Sequence, residues 1–430
     1  MPKATTLSEA IAIFDPRAPL SGQALHEFYV ARPGSPLGQM EQLLLSLRQS
    51  GQTVKLLLSG HRGSGKTTEL NRLAERLESA YGHRYEVIPV DVSRQIATLT
   101  YHDVVLGMAL AVFKRAASLE VITQSPVEAV QGLLNRLGEF LQERLYGPAL
   151  VRLSSVQPTE IAARLTTGVA ELEAKYSLST TSRANLQKYL DENLSELLSQ
   201  VDEVASLLTQ QTRRAPLLTV EGTDKPDVAR SREIFCDHQY ALTALRNVSV
   251  IYTFPIELVY SETYTQIKDG FGERYSLPNL KRVNRDGSLN PEGHACLEQI
   301  VANRLAPERI HPQALHLLVE ASGGAPRFLI RMMRNAASRA LARGNAEQIE
   351  PEDARGAIGE ELGDFIRMLR SEHYPVLWER FRDKTLSSDP VHQELLQMSA
   401  LLEYSNGGDR WCDVHPILLP EVKKRTGHAD

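Results

Sequence analysis

Cysteine is scarce. The chain of 430 residues holds three, Cys236, Cys296 and Cys412, odd in number and far apart. That excludes a disulfide framework and a CxxC metal pair, and reads as three thiols of a reducing compartment. Long apolar runs are lacking too: no stretch of about 18 apolar residues occurs, so nothing reads as a membrane span. The N-terminal stretch is interrupted by Asp15 and Pro16 and does not read as a secretory signal, so the expected compartment is the cytoplasm. Charge of one sign is not in large excess. Lys plus Arg is 48 and Asp plus Glu is 53, a formal charge of −5. That excludes a bulk nucleic-acid coat, although a local basic patch remains compatible with it. There is no low-complexity tract, no internal repeat, no Gly-x-Ser-x-Gly elbow and no HExxH. His373 and His415 have no second ligand at metal spacing and read as structural. What is present is ordinary globular material, 42% hydrophobic and 23% charged. At about 150 residues per domain the length predicts two to three domains.

Along the chain, Leu37, Met40, Leu43, Leu44 and Leu47 recur at helical steps. Thr53–Ser59 reads as a buried strand, a helix runs from Glu69 to about Ala80, and residues 84–93 read as a second strand. Residues 101–212 read as a helical insertion broken at Pro126, Pro148 and Pro158. Its last helix carries the stripe Leu186, Leu190, Leu194, Leu197, Val201, Val204 and Leu208, which favours packing on its own domain over a coiled coil. Ala215–Val220 and Val248–Phe254 are further strand candidates, with a helix over 228–246 between them. Strands alternating with helices predict an α/β fold with a parallel sheet covered on both faces. Residues 296–358 return to helix. The tail, 362–430, reads as helices followed by two short strands around Asn406-Gly407-Gly408-Asp409.

The segment Gly60-His61-Arg62-Gly63-Ser64-Gly65-Lys66-Thr67 fits G-x-x-x-x-G-K-[ST], with a strand before it and a helix after it. Glycines let backbone N–H groups turn inward around phosphate oxygens, and the helix N-terminus adds positive potential. Lys66 is expected to reach the β- and γ-phosphates, and Thr67, followed by Thr68, to offer its hydroxyl to Mg²⁺. A second acidic element belongs at the carboxyl end of a buried strand. Leu217-Leu218-Thr219-Val220-Glu221-Gly222-Thr223-Asp224-Lys225 supplies two acids three apart at such an edge.

These two motifs, separated by a helical insertion, resemble the signal-transducing (STAND) and origin-recognition-like branches of the AAA+ ATPases. The resemblance implies ATP with Mg²⁺ as ligand. It places Glu221 at the metal-water acid, and Asp224 at a second acid that orients or polarises water. The chain departs by carrying Glu where Asp is usual, and Gly222 where many AAA+ motors carry a catalytic glutamate. The departure favours nucleotide binding over brisk hydrolysis. Phe28-Tyr29-Val30-Ala31-Arg32 is similar to the segment that packs on adenine in such ATPases, which implicates Tyr29, Val30 and Arg32. Thr253 matches the sensor-1 position. Gly323-Gly324-Ala325-Pro326-Arg327 resembles the start of the sensor-2 helix, with Arg327 directed at the phosphates.

The resemblance implies an N-terminal lead-in over 1–50, an ATPase core over 51–290 with the insertion 101–212, a helical lid over 291–360 and a winged-helix-like domain over 361–430. Between 304 and 343 seven arginines face two glutamates, a net +5. Arg327, Arg331 and Arg334 share a helix face, open to three readings: phosphate sensor, subunit contact or nucleic-acid surface. The stretch 360–430 carries nine basic and 13 acidic residues, which favours protein contacts over DNA. The first expectation is therefore a slowly hydrolysing ATP/ADP switch with a protein partner or a second copy of itself. Proteins of this type often serve prokaryotic antiviral defence or signalling. A DNA-associated initiator or loader and a non-hydrolysing nucleotide-stabilised scaffold are the alternatives.

Overall fold

The computed structural model describes residues 3–79, 85–93, 98–119 and 180–428. The expected helix breaks at Pro126, Pro148 and Pro158 lie outside the described residues. Five strands form one parallel sheet in the order β2-β3-β4-β1-β5. They are β1 (Lys55–Ser59), β2 (Tyr85–Asp91), β3 (Ala215–Glu221), β4 (Ser249–Phe254) and β5 (Glu273–Ser276). The fold is α/β, as the alternation of strands and helices predicts.

Strand periodicity sorts the core into two layers. Leu56 and Leu58 of β1 face one side, with Leu217 and Ile251, against α3 (Leu37–Gln49) and α4 (Lys66–Ser79). Leu57 faces the other side with Leu218, Val220, Val250 and Tyr252. There α5 (Tyr101–Ser118) and α6 (Thr180–Thr212) cover it. The stripe on α6 is spent in this layer, since Leu190, Leu197, Val201, Val204 and Leu208 are all buried. Strand β5 has no sequence signal, because Glu273-Arg274-Tyr275-Ser276 lies at the sheet edge with mostly polar side chains.

The expected single helix over 228–246 is a correction. It is α7 (Val228–Arg232), a π-turn at Glu233–Asp237, and α8 (Gln239–Thr243). Helix α4 begins at Lys66, three residues before the expected Glu69, so the loop lysine already belongs to the helix.

After β4 come α9 (Ile256–Val259) and α10 (Tyr264–Gly270), then β5 and a connector over 277–290. The lid is α11 (Pro291–Ala302), α12 (Pro312–Ala321), α13 (Pro326–Ala342) and α14 (Pro351–Met368). Each starts with proline in the first turn, where the missing N–H costs nothing. The tail follows as α15 (His373–Asp383), α16 (Pro390–Gln397), the antiparallel hairpin β6 (Leu401–Asn406) and β7 (Asp409–Val414), and α17 (Leu419–Arg425). Lid and tail share one apolar core, and α14 crosses position 360. The N-terminal α1 (Leu7–Ile13) joins that same core through Leu7, Ala10 and Phe14. By contrast α2 (Gly22–Phe28) packs against α4 of the ATP-motif core. Residues 15–21 therefore cross from the lid to the core.

Candidate functional site

The loop after β1 turns at Gly60, Gly63 and Gly65, with φ of 147°, 87° and 101°. These are backbone conformations that favour glycine. A Cβ at Gly60 would lie 2.6 Å from the Leu277 carbonyl oxygen, and one at Gly63 would lie 2.6 Å from Cβ of Arg327. The glycines thus serve two close approaches, one to the connector and one to the first turn of α13. The Arg327 N–H also donates to the Gly63 carbonyl at 3.2 Å.

Lys66 is buried at the floor of the cleft. Its Nζ donates to the carbonyls of Gly60 (2.6 Å) and His61 (3.0 Å) and lies 2.7 Å from Oδ2 of Asp224. Burial raises the Asp224 carboxyl, but the Lys66 charge and hydrogen bond outweigh it and hold the group below the usual carboxylate range. Glu221 moves the other way. Burial raises it, the Thr67 hydroxyl opposes that, and the charges of Asp91 and Asp224 add to the rise. Thr67 and Glu221 therefore sit side by side, hydroxyl on carboxylate. The Thr253 and Thr223 hydroxyls lie 3.1 Å apart, and the Thr223 hydroxyl donates to the Thr253 carbonyl at 2.6 Å.

Lys66, Thr67, Glu221, Asp224, Thr253 and Arg327 all line one cleft of about 580 Å³. Burial lowers the Arg327 guanidinium and Asp224 opposes the shift. Among the described residues no ion pair engages Arg327. A glycine cradle, a lysine and a hydroxyl–carboxylate pair fit a phosphate chain with a magnesium ion held mainly by phosphate and water oxygens.

A second, more apolar cavity of about 310 Å³ opens beside the loop. Tyr29, Val30 and Arg32 line it together with Phe28, Ile300 and Ile330. Arg32 departs from a simple base-contacting role. Its guanidinium donates to the carbonyls of Ser64 and Pro278, so it ties the lead-in to the loop and the connector. Tyr29 reaches Glu69 through its hydroxyl at 3.3 Å. Thr68 accepts from the Leu20 N–H at 3.3 Å and holds the 15–21 crossing against α4.

Sequence reasoning missed three features. Asp91 and Ser93, at the carboxyl end of β2, line the phosphate cleft, and so do Asp15–Pro19. An acid closing the strand Val87-Ile88-Pro89-Val90-Asp91 was the available signal for the first. The third is His61. Fully inside the protein, it accepts from the Glu403 N–H of β6 at 2.8 Å through Nε2. Burial and the Lys66 charge push its pKa down to about 3, so the ring is neutral. Arg62 donates to the Lys225 carbonyl and so joins the loop to the segment after β3. Spacing gives no hint of a partner 342 residues away.

The arginines of the lid do not form a free basic face. Arg331 pairs with Glu361, Arg339 with Glu360 at 2.7 Å, Arg343 with Asp353 at 2.6 Å and Arg334 with Asp15 at 3.5 Å. Arg304 is buried and donates to the Ile300 carbonyl at 2.7 Å. Among the described residues no helix is long and apolar enough to cross a membrane.

Fold and cleft together define an α/β, parallel-sheet P-loop chain with a helical lid. No family model matches it, and no curated protein matches it. Among solved structures it is similar to the Aeropyrum pernix ORC1 protein in complex with DNA. Identity is 15%, coverage 97% of this chain and 98% of that one, and TM-score 0.42. It is also similar to a Walker-type ATPase of Pyrococcus abyssi, with 12% identity, 96% and 99% coverage and TM-score 0.42. A Thermotoga maritima RuvB mutant gives 13% identity, 92% and 98% coverage and TM-score 0.39. Likeness at this level concerns the course of the backbone alone.

Proposed function

We propose that the chain is an ATP-binding, slowly hydrolysing regulatory switch of the AAA+ type. In it, nucleotide at the Gly60–Thr68 loop sets how the C-terminal unit is seated, and thereby its contact with a protein partner or a second copy. The carrying observation is the hydrogen bond from the Glu403 N–H to His61, inside the phosphate-binding loop itself. The neighbouring Tyr404 hydroxyl donates to the Gly323 carbonyl at 2.7 Å, at the turn that launches Arg327. One strand is thus attached both to the loop that would cradle phosphate and to the lid residue that would sense it. Such a strand has two attachment points that a ligand can bias in opposite directions.

In this reading Lys66 and Arg327 would neutralise phosphate charge, and Thr67 and Glu221 would hold a Mg²⁺ ion. Thr253 positions the γ-phosphate end, and Tyr29 and Val30 shape the base side. Residues 361–430 serve as a winged-helix-like unit whose hairpin is committed to the core. Paired lid arginines and an acidic tail weigh against a nucleic-acid face.

The test combines binding with hydrogen exchange. A fluorescent ATP analogue should bind the wild type and lose at least tenfold in affinity in Lys66→Ala. Mg-ATP should change amide exchange across 401–406 in the wild type and leave it unchanged in Lys66→Ala. Binding without any change in that strand would leave a nucleotide-stabilised scaffold. Binding indifferent to Lys66 would remove the nucleotide site altogether.

A further inference from the structure

We propose that Asp91, on the strand next to the acid-bearing strand, is the carboxylate that orients and deprotonates the attacking water. The inference rests on the reading that this cleft hydrolyses a nucleoside triphosphate.

Gly222 stands where many AAA+ motors carry a catalytic glutamate, and the structure gives a steric reason for the glycine. It has φ of 95°, and a Cβ there would meet Ser93 N at 2.8 Å, Ser93 Cβ at 2.9 Å and Ser93 Cα at 3.0 Å. Two of those three atoms are backbone, so the obstruction does not rotate away. The turn Asp91–Ser93 fills the space that a longer side chain at 222 needs. The same turn brings its own carboxylate. Asp91 is aligned with Glu221 in the β2–β3 register, and the Val92 N–H donates to the Glu221 carbonyl at 3.0 Å, so the turn is fixed to the end of β3. The Ser93 N–H donates to Oδ1 of Asp91 at 2.8 Å, which fixes the orientation of the carboxylate.

The other three acids of the cleft have partners: Asp15 pairs with Arg17 and Arg334, Glu221 with the Thr67 hydroxyl, and Asp224 with Lys66. Asp224 is also buried, whereas Asp91 is exposed to the solvent of the cleft, where a water can reach it. Among the described residues Asp91 has no ion-pair partner. A carboxylate that is fixed, solvated and uncommitted to a cation is suited to hold a water by hydrogen bond.

The step balances without a further reagent. The water oxygen forms a bond to the γ-phosphorus, and the bond from that phosphorus to the β–γ bridging oxygen breaks. The electron pair leaves on the β-phosphate. Asp91 accepts the water proton and returns it to solvent.

The experiment measures nucleotide affinity and turnover together for the wild type, Asp91→Asn, Asp91→Glu, Gly222→Glu and Lys66→Ala. Asp91→Asn should keep the Kd for a fluorescent ATP analogue within about twofold and lower kcat by roughly 100-fold, in the range of general-base contributions. Asp91→Glu should recover part of kcat. Gly222→Glu should lose thermal stability and gain no turnover. Asp91→Asn turning over at the wild-type rate would overturn the inference. So would a large loss of affinity, which would make Asp91 a binding residue. Tight Lys66-dependent binding with no wild-type turnover would overturn it too, while leaving the nucleotide switch intact. Binding indifferent to Lys66 would instead overturn the underlying reading.

Discussion

Single residues here carry both stability and chemistry. His415 is fully buried, with its ring against Phe328 at 4.7 Å and Phe365 at 5.0 Å. Burial, aided by the charges of Arg282 and Arg331, pushes its pKa down to about 3. The unfolded chain takes up that proton near pH 6.5. Between the two values the unfolded state holds the extra proton, so stability rises with pH and falls as pH drops through this window. Phenylalanine keeps an aromatic ring at the position and cannot titrate. His415→Phe should therefore shrink the difference in unfolding free energy between pH 7 and pH 5 by about 2 kcal/mol. Urea midpoints at the two pH values measure it, and an unchanged difference would remove His415 from the acid sensitivity of the fold. Residue-scale chemistry was partly legible in the sequence. Lys66, Thr67, Glu221 and Asp224 lie in two short motifs, and the structure brings all four to one cleft. The bond of His61 to a strand 342 residues away was not legible, and Asp91 offered only the weak signal of an acid closing an apolar strand.

At the scale of elements, the β6–β7 hairpin is the most informative. Trp411 is fully buried and stacks on Tyr404 at a centroid distance of 4.7 Å. Glu403, between Leu402 and Tyr404, takes the Tyr260 hydroxyl and the Arg410 guanidinium on its buried carboxylate. Removing the indole leaves a large cavity under a strand that also touches the phosphate loop. Trp411→Ala should cost about 3–5 kcal/mol of stability, read by denaturant unfolding. It should also raise exchange at 401–406 far more than at β1. Uniform acceleration at both sites would mean that the hairpin unfolds only with the whole molecule. Elements with strong periodicity were visible in advance: strands β1 to β4 as apolar runs, the hairpin from its Asn-Gly-Gly-Asp turn and the buried stripe of α6. Strand β5 was invisible because an edge strand with mostly polar side chains has no apolar pattern to read. The break in 228–246 was hidden because Glu233–Asp237 looks like ordinary helix and differs only in its hydrogen-bond spacing.

For the molecule as a whole, charge decides what it can hold. The net +5 of 304–343 looks like a cationic surface in one dimension, but three dimensions pair it off against Asp15, Asp353, Glu360 and Glu361. At about 0.15 M salt, fluorescence anisotropy with a 30-base-pair duplex is expected to show no saturable binding below about 10 µM. That is weaker than much non-specific binding. A steep, salt-sensitive isotherm below that range would reveal a phosphate-binding face and restore the loader reading. Pairing of this kind cannot be read from a sequence, since the four acidic partners of these arginines lie ten or more positions away in the chain.

The lid, finally, is joined to the core by two covalent crossings: residues 15–21 on the way in and the connector 277–290 on the way out. A body attached by one strand can swivel. A body attached by two is closer to a door on a pair of hinges. The first crossing is pinned at Leu20 by Thr68 and Asn71, and the second is bonded at Leu280 to the Gly324 carbonyl. In the proposed switch, a rotation of the lid about the line that joins these two crossings is the movement that leaves both of them in place. Such a rotation would carry Arg327 past Gly63, so that in the proposed switch phosphate contact and lid angle would share one mechanical coordinate.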